Sequence, residues 1–356
     1  MATSVYIHIP FCKSKCKYCS FISFPALEYK SEYIVALEKE IKHHYNGELL
    51  KTLYFGGGTP SLLEVSEIEK LLGHFNYNSA TEITVELNPE TLTQEYLNDL
   101  KKIGVNRLSL GCQTFNDNIL NTIGRRHNAL QVKKAVTLAK NAGFNNISLD
   151  FIYGLPNQTT ENFIDDLKQA TELNIQHISL YGLKIDEGCY FYNNPPQNLP
   201  SNDEQADMYL KAIEFLSPNF KHYEISNFGI PSQHNLNYWN NENYYGFGIA
   251  AHGYINNVRY SNFETIEEYI QNPTKHNEEI SLSLQEQLEE AIFLGFRKMN
   301  GIDITKINNT YNIDFENKYR KILDKYNEYF VKTPKGYSLN NEGILISNNI
   351  LSEFLE

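Results

Sequence analysis

Six short runs rich in β-branched and aliphatic residues punctuate the first half of the chain. A stretch of helical periodicity separates each from the next. The runs are SVYIHI from Ser4, KTLYF from Lys51, EITVEL from Glu82, NRLSLG from Asn106, NISLDFI from Asn146 and HISLYG from His177. Between the first two, Ile34, Leu37 and Ile41 recur at helix spacing. The run VKKAVTLAKNAGF after Gln131 stops at Gly143, a residue suited to ending a helix. Segment 203–216 places Ala206, Tyr209, Leu210 and Ile213 on one helical face. Strand–helix units in series imply a parallel sheet with helices outside it. Six units fall short of the eight that close a barrel. The expected fold class is therefore α/β, a partial (βα)6 barrel of TIM type.

After about residue 275 the pattern changes. QEQLEEAIFLGFRKM reads as a helix, and a second helical pattern covers 313–327. YFVKT, GYSLN and GILIS read as short strands, with turns at Pro334 to Gly336 and at Asn341 to Gly343. The expected division is a barrel over 1–225, a connecting segment over 226–275, and a small C-terminal α+β domain of winged-helix type over 276–356. That tail carries no basic recognition helix, so its expected role is to pack against the barrel.

Charge narrows the function. The formal net charge is −12, which argues against a general nucleic-acid binder. No run of about 18 apolar residues appears, so no transmembrane segment is expected. The N-terminus lacks the charged, apolar and small-residue order of a secretory signal. The expected location is cytoplasmic.

Five cysteines make a poor disulfide framework, and three of them, Cys12, Cys16 and Cys19, lie within eight residues. Thiolates at Cys-x3-Cys-x2-Cys spacing converge on one metal centre or coincide by chance. Structural zinc would need a fourth ligand such as His8. A disulfide would strand one thiol. A [4Fe–4S] cluster on three thiolates would leave one iron open to a non-protein ligand. Lys13, Lys15 and Lys17 read as solvated charges. Cys112 and Cys189 read as small packing residues. Polar groups also stand at successive strand ends: the GGGTP run from Gly56, Glu86, Gln113 and Asp150, with Arg125 on a following loop. Residues at the C-terminal ends of parallel strands face a common mouth, and a glycine run there lets backbone approach a ligand closely.

The cysteine spacing, with Tyr18 just before the last cysteine, resembles the signature of radical S-adenosylmethionine (SAM) proteins. The preceding YIHIPFC is similar to the branch of oxygen-independent coproporphyrinogen III oxidases and their relatives. The resemblance implies a [4Fe–4S] cluster on Cys12, Cys16 and Cys19 whose open iron is chelated by SAM. It implies that Gly57, Gly58 and Thr59 hold the SAM amino group. It further implies that Glu86, Gln113, Arg125 and Asp150 bind polar groups of SAM or a second ligand, with Tyr6 and Tyr18 on the cluster side.

The branch divides in two. Oxidases carry a fourth cysteine two residues after the third, where this chain has Phe21. Phe21 and the HNLNYW block, His234 to Trp239, resemble instead a heme-chaperone subfamily. That resemblance implies heme as cargo, with His234 as axial ligand and Tyr238 and Trp239 against the porphyrin. Imidazole is a common heme donor, and His222 and His252 are rival ligands. The implied partners are heme, heme-accepting proteins such as cytochromes or membrane respiratory enzymes, and a second copy of the chain. Coproporphyrinogen III oxidation by a 5′-deoxyadenosyl radical is the alternative, disfavoured by both marks.

Overall fold

A computed structural model describes residues 3–355. Strands β1 (Thr3–Ile9), β2 (Leu50–Gly57), β3 (Glu82–Leu87), β4 (Arg107–Gln113), β5 (Ile147–Tyr153) and β6 (His177–Gly182) lie side by side in that order, every pair parallel. Helices α1 (Lys30–His44), α2 (Val65–Leu72), α3 (Gln94–Lys102), α4 (Asp117–Thr122), α5 (Ala129–Asn141) and α6 (Thr160–Glu172) supply the crossovers. A short α7 (Tyr190–Asn193) and α8 (Asn202–Leu216) follow β6. Local chemistry starts several of these helices. Asn128 with Gln131 and Ser201 with Glu204 form reciprocal capping boxes at α5 and α8.

The strands alternate strictly, and the alternation makes two different surfaces. Val5, Ile7, Leu53, Phe55, Ile83, Val85, Leu108, Leu110, Leu149 and Ile178 belong to the main apolar core. The residues between them are polar and bond to one another: Tyr54 with Glu86, Ser109 with Asp150, and Ser148 with His177. The sheet thus presents apolar side chains to the helices and a polar face to its concave interior.

The sheet continues past both ends of the six strands. β7 (His222–Glu224) and β8 (Asn227–Gly229) follow β6, with β8 antiparallel to it. α9 (Gln233–Trp239) then leads to β9 (Tyr244–Phe247), which pairs parallel to β1. β10 (His252–Ile255) and β11 (Val258–Ser261), α10 (Ile266–Gln271) and β12 (Glu278–Ser281) complete that flank. The segment 226–275, expected to connect two domains, instead contributes β8 to β11 to a twelve-stranded sheet. β12 and β7 form its ends, so the barrel is open.

The tail holds α11 (Leu284–Gly295), β13 (Ile302–Asp303), α12 (Ile304–Tyr311), α13 (Phe315–Lys318), α14 (Arg320–Lys325), β14 (Phe330–Thr333) and β15 (Gly336–Leu339). It is the small α+β unit that the sequence suggests, with two corrections. GILIS is not a strand: the Asn340 side chain accepts from the Gly343 amide and starts α15 (Asn341–Leu345), followed by α16 (Ser347–Ser352). The third strand is Ile302–Asp303, pairing with β15. The helical pattern over 313–327 splits at Tyr319 into α13 and α14. Backbone bonds from Ile225 to Arg297 and from Met299 to Tyr223 stitch the tail to the barrel.

One buried carboxylate binds the β9 flank to the helix layer. Glu40 of α1 accepts from the Gly248 amide (2.8 Å), the Asn262 side-chain amide (2.6 Å) and the Tyr269 hydroxyl (2.5 Å). Burial pushes its carboxyl up from 4.5 to about 7, opposed by these three bonds. The folded state therefore binds this proton more tightly than the unfolded chain. The associated stability is fully present below pH 4.5 and is lost as pH rises through about 7. A difference of that size is worth roughly 3 kcal/mol at most. Urea midpoints at pH 5 and pH 7.5 should fall with pH in the native protein, and Glu40→Gln should reduce that fall.

Candidate functional site

The site begins with a close approach of two backbones. β1 and β2 run in register, with Ile9 opposite Gly57, and the Gly58 amide donates to the Ile9 carbonyl at 2.8 Å. A Cβ on Gly58 would stand 2.7 Å from the Phe11 carbonyl oxygen. One on Gly57, whose φ is +108°, would stand 2.6 Å from the His8 ring. Only glycine fits there. The approach seats the cysteine loop, which leaves β1, against the end of β2.

From this contact a chain of hydrogen bonds links two of the thiols. Cys12 Sγ lies 3.4 Å from the Thr59 hydroxyl, and Asn88 Nδ2 donates to that hydroxyl at 2.9 Å. Arg125 Nη2 donates to Asn88 Oδ1 at 2.8 Å, and Arg125 Nη1 donates to Cys16 Sγ at 3.5 Å. Arg125 is thus the inward residue of its pair, while Arg126 is exposed. All three thiols and Tyr18 line a cavity of about 520 Å³, which also takes in Gly57, Gly58, Thr59, Glu86, Gln113, Arg125 and Asp150. Ligand pockets commonly span ~300–1,000 Å³. Cys112 and Cys189 are buried in packing positions away from it.

The cavity's polar groups are held in readiness for a ligand. Asp150 accepts from Ser109 (2.8 Å), Ser148 (3.0 Å) and Ser179 (2.6 Å). Glu86 accepts from the Tyr54 hydroxyl at 2.7 Å and the Gly57 amide at 3.1 Å. Burial pushes the Glu86 carboxyl up to about 7, and the Asp150 charge adds to this. Gln113 ends β4 in the left-handed region, at φ +63°, where the β4–β5 register shifts. Strain of that kind in a non-glycine residue gathers at functional sites. Gln113 Oε1 and Arg125 Nε are buried without a hydrogen-bond partner.

A cluster with SAM asks for thiolates and for polar partners to an amino-acid group. Among the described residues no three His, Cys, Asp or Glu side chains converge on a single ion. All three thiols line the one cavity, and a polynuclear cluster takes one thiolate per iron. His8 is no zinc helper. Its Nε2–H donates to the Ile22 carbonyl at 2.8 Å, and its Nδ1 accepts from the Tyr6 hydroxyl at 3.1 Å. Burial pushes the Cys19 thiol up to about 11, so loading a cluster must displace its proton. Unpaired acceptors and donors at Gln113 and Arg125 match a ligand with amino, carboxylate and hydroxyl groups. The donor set fits both groups.

Two expectations require correction. Tyr6 does not line the cavity; it packs lower in the concave face, with ring distances of 6.1 Å to Tyr54 and 6.4 Å to His234. His234 is not open to a ligand. Its Nδ1 lies 2.7 Å from the Thr52 hydroxyl and its Nε2 2.8 Å from the Tyr238 hydroxyl. The ring is 1% exposed and stacks on Tyr54 at 4.9 Å. Its amide donates to Glu82 at the start of β3, so α9 underlies the N-terminal part of the sheet, where the neighbouring Asn235 lines the same cavity as the thiols. Burial, with the Arg107 charge, lowers its pKa to about 3 and keeps the ring neutral. Trp239 is covered by the Arg297 guanidinium at 4.5 Å. Of the rivals, His222 stacks on Phe228 at 4.2 Å, and His252 is exposed on β10.

Sequence reasoning missed Asn88 and the serines around Asp150. A signal existed for the serines: Ser109, Ser148 and Ser179 stand in similar Ser-Leu steps of three consecutive strands.

Two family models match the chain. Residues 6–170 match the Radical SAM superfamily, and residues 282–345 match the HemN C-terminal domain. The heme chaperone HemW of Lactococcus lactis is 39% identical, covering 99% of this chain and 97% of that protein. The heme chaperone HemW of Bacillus subtilis is 36% identical, covering 99% of each. The solved coproporphyrinogen III oxidase HemN of Escherichia coli is 24% identical, with a TM-score of 0.87, over 99% of this chain and 90% of that one. That likeness establishes the fold.

The backbone approach at Gly58 can be tested directly. Gly58→Ala should destabilise the protein by roughly 1–3 kcal/mol through overpacking, read as a lower thermal midpoint. An unchanged midpoint would mean that the cysteine loop gives way freely.

Proposed function

Because the chain belongs to the family of the heme chaperone HemW, within the radical SAM superfamily, we propose that it binds heme and passes it to heme-accepting proteins. The observation that carries this reading is full-length kinship to HemW proteins. Phe21 in place of a fourth cysteine supports it. Superfamily membership implies a [4Fe–4S] cluster and SAM as cofactors. In the proposal Cys12, Cys16 and Cys19 hold the cluster. Such a cluster would supply an electron to the sulfonium of bound SAM.

The chain's own groups have separate tasks. Arg125, donating to Cys16, stabilises a thiolate there. Gly57, Gly58 and Thr59 would hold the SAM amino group. Glu86 keeps a proton near neutral pH and can release it when a cationic amino group arrives beside it. Asp150, preset by three hydroxyls, accepts from a ligand hydroxyl, and Gln113 offers its unpaired oxygen. Tyr18 walls the cluster side. Heme-accepting proteins of the cytoplasm and the membrane respiratory enzymes are the proposed recipients, with a homodimer as the working assembly. Among the described residues no helix is long and apolar enough to cross a membrane. Coordination of heme by His234 requires α9 to release the ring from Thr52 and Tyr238.

Two measurements test this. Anaerobically reconstituted protein should hold about one cluster per chain, and replacing all three cysteines by serine should abolish its iron. On the same preparation, hemin should bind stoichiometrically by absorbance titration and coproporphyrinogen III should remain unconverted. No hemin binding together with formation of protoporphyrinogen IX would replace the chaperone reading with the oxidase. Weaker hemin binding in His234→Ala would show that α9 opens; unchanged binding would remove His234 as a ligand.

A further inference from the structure

Exposed aromatic side chains border the cysteine loop on two sides: Phe21 and Tyr181 line the cofactor cavity, and Tyr190 lines a separate groove. Of 20 Phe, 25 Tyr and one Trp, only Phe21, Tyr181, Tyr190 and Tyr192 are exposed among the described residues. Phe21 belongs to the cysteine loop, and the other three lie on β6 and the segment that follows it. The two stretches are joined. The Lys17 amide donates to the Ile123 carbonyl at 3.0 Å, and the Phe191 amide donates to the Lys17 carbonyl at 2.9 Å. Lys15 Nζ reaches the Gly188 carbonyl at 3.5 Å.

Behind this junction lies a second cavity, of about 460 Å³, separate from the cofactor cavity. Tyr190, Pro195 and Pro196 give it apolar surface open to a ligand, with the buried Pro156 and Phe191 beneath them. Lys17, Asn157, Gln197 and Asn198 add one cation and several amide donors. No carboxylate lines it, although the chain carries a net charge of −12. Lys17 Nζ stands 5.8 Å over the Tyr190 ring. A groove of this composition suits a planar apolar ligand that carries carboxylates. Planar apolar surface stacks on aromatic and proline faces, and carboxylates meet an ammonium and amide N–H groups without repulsion.

We propose that this outer groove is the heme-docking site, with Tyr190 against the macrocycle and Lys17 paired to a propionate. The inference rests on the heme reading above and locates the cargo within it. No imidazole or thiol lines the groove. It therefore holds the macrocycle by its faces and carboxylates and leaves the iron's axial positions to other donors, as a carrier that must release heme requires. Lys17 lines the groove while its neighbour Tyr18 lines the cofactor cavity. The cysteine loop is the partition between the two.

The test is an absorbance titration of hemin into the reconstituted holoprotein and two variants. Tyr190→Ala removes an apolar wall, and Gln197→Glu places a carboxylate where a propionate would lie. Both should weaken hemin binding at least tenfold while cluster iron per chain stays at the native level. Affinity within twofold of native in Tyr190→Ala would overturn the groove and leave the chaperone reading standing. If that variant does not fold by circular dichroism, Gln197→Glu decides by the same criterion. A native protein that binds no hemin would instead overturn the chaperone reading itself, and the groove with it.

Discussion

The contact on which the rest of this site depends is the backbone approach of Gly58 to Ile9 and Phe11. A parallel register between β1 and β2 brings the ends of the two strands level. The absence of side chains at Gly57 and Gly58 then lets the loops leaving them touch. Cys12 meets Thr59 because of it. Thr59 in turn anchors Asn88, and Asn88 positions the guanidinium that reaches Cys16. A loop of twenty or so residues with three thiols and three lysines has little reason of its own to hold one shape. It is held here by neighbouring strand ends.

The concave face shows a second dependence. Parallel strands with helices on one side are ordinarily apolar on both faces. Here the inner residues are Thr52, Tyr54, Thr84, Glu86, Arg107, Ser109, Ser148, Asp150, His177 and Ser179. Such a face is tolerable because all of these but Thr84, whose hydroxyl is buried without a partner, bond to one another or to His234, or look into the cavity. His177 joins Ser148 at 2.7 Å and Tyr223 at 2.8 Å, and His234 closes the far end between Thr52 and Tyr238. The HNLNYW block thus plugs the sheet interior in this structure. The same hydrogen bonds that satisfy its imidazole occupy both of its nitrogens.

The legible and illegible parts separate by range of interaction. The six strands were legible because each alternates apolar and polar residues over five to eight positions, a local pattern. The cysteine triplet was legible because its chemistry lies within eight residues. GILIS was misread because a short aliphatic run suits either a strand or a helix, and one cap, Asn340, decided it. Strands β8 to β12 were missed because they are three or four residues long and exist only by pairing with β6, β1 and one another. The serine cage of Asp150 needed the strand register, which no single segment contains.

By itself the sequence determined the elements of this protein: parallel strands, crossover helices, three clustered thiols, and polar residues waiting at strand ends. Tertiary structure decided which of those residues meet. It turned Arg125 inward and left Arg126 in solvent, kept Tyr6 below the cavity, and closed His234 beneath the sheet. It also gathered the exposed aromatics around the cysteine loop. The physical reason is that strand periodicity is encoded locally, whereas burial and hydrogen-bond partnership depend on the register and packing of segments far apart in the chain.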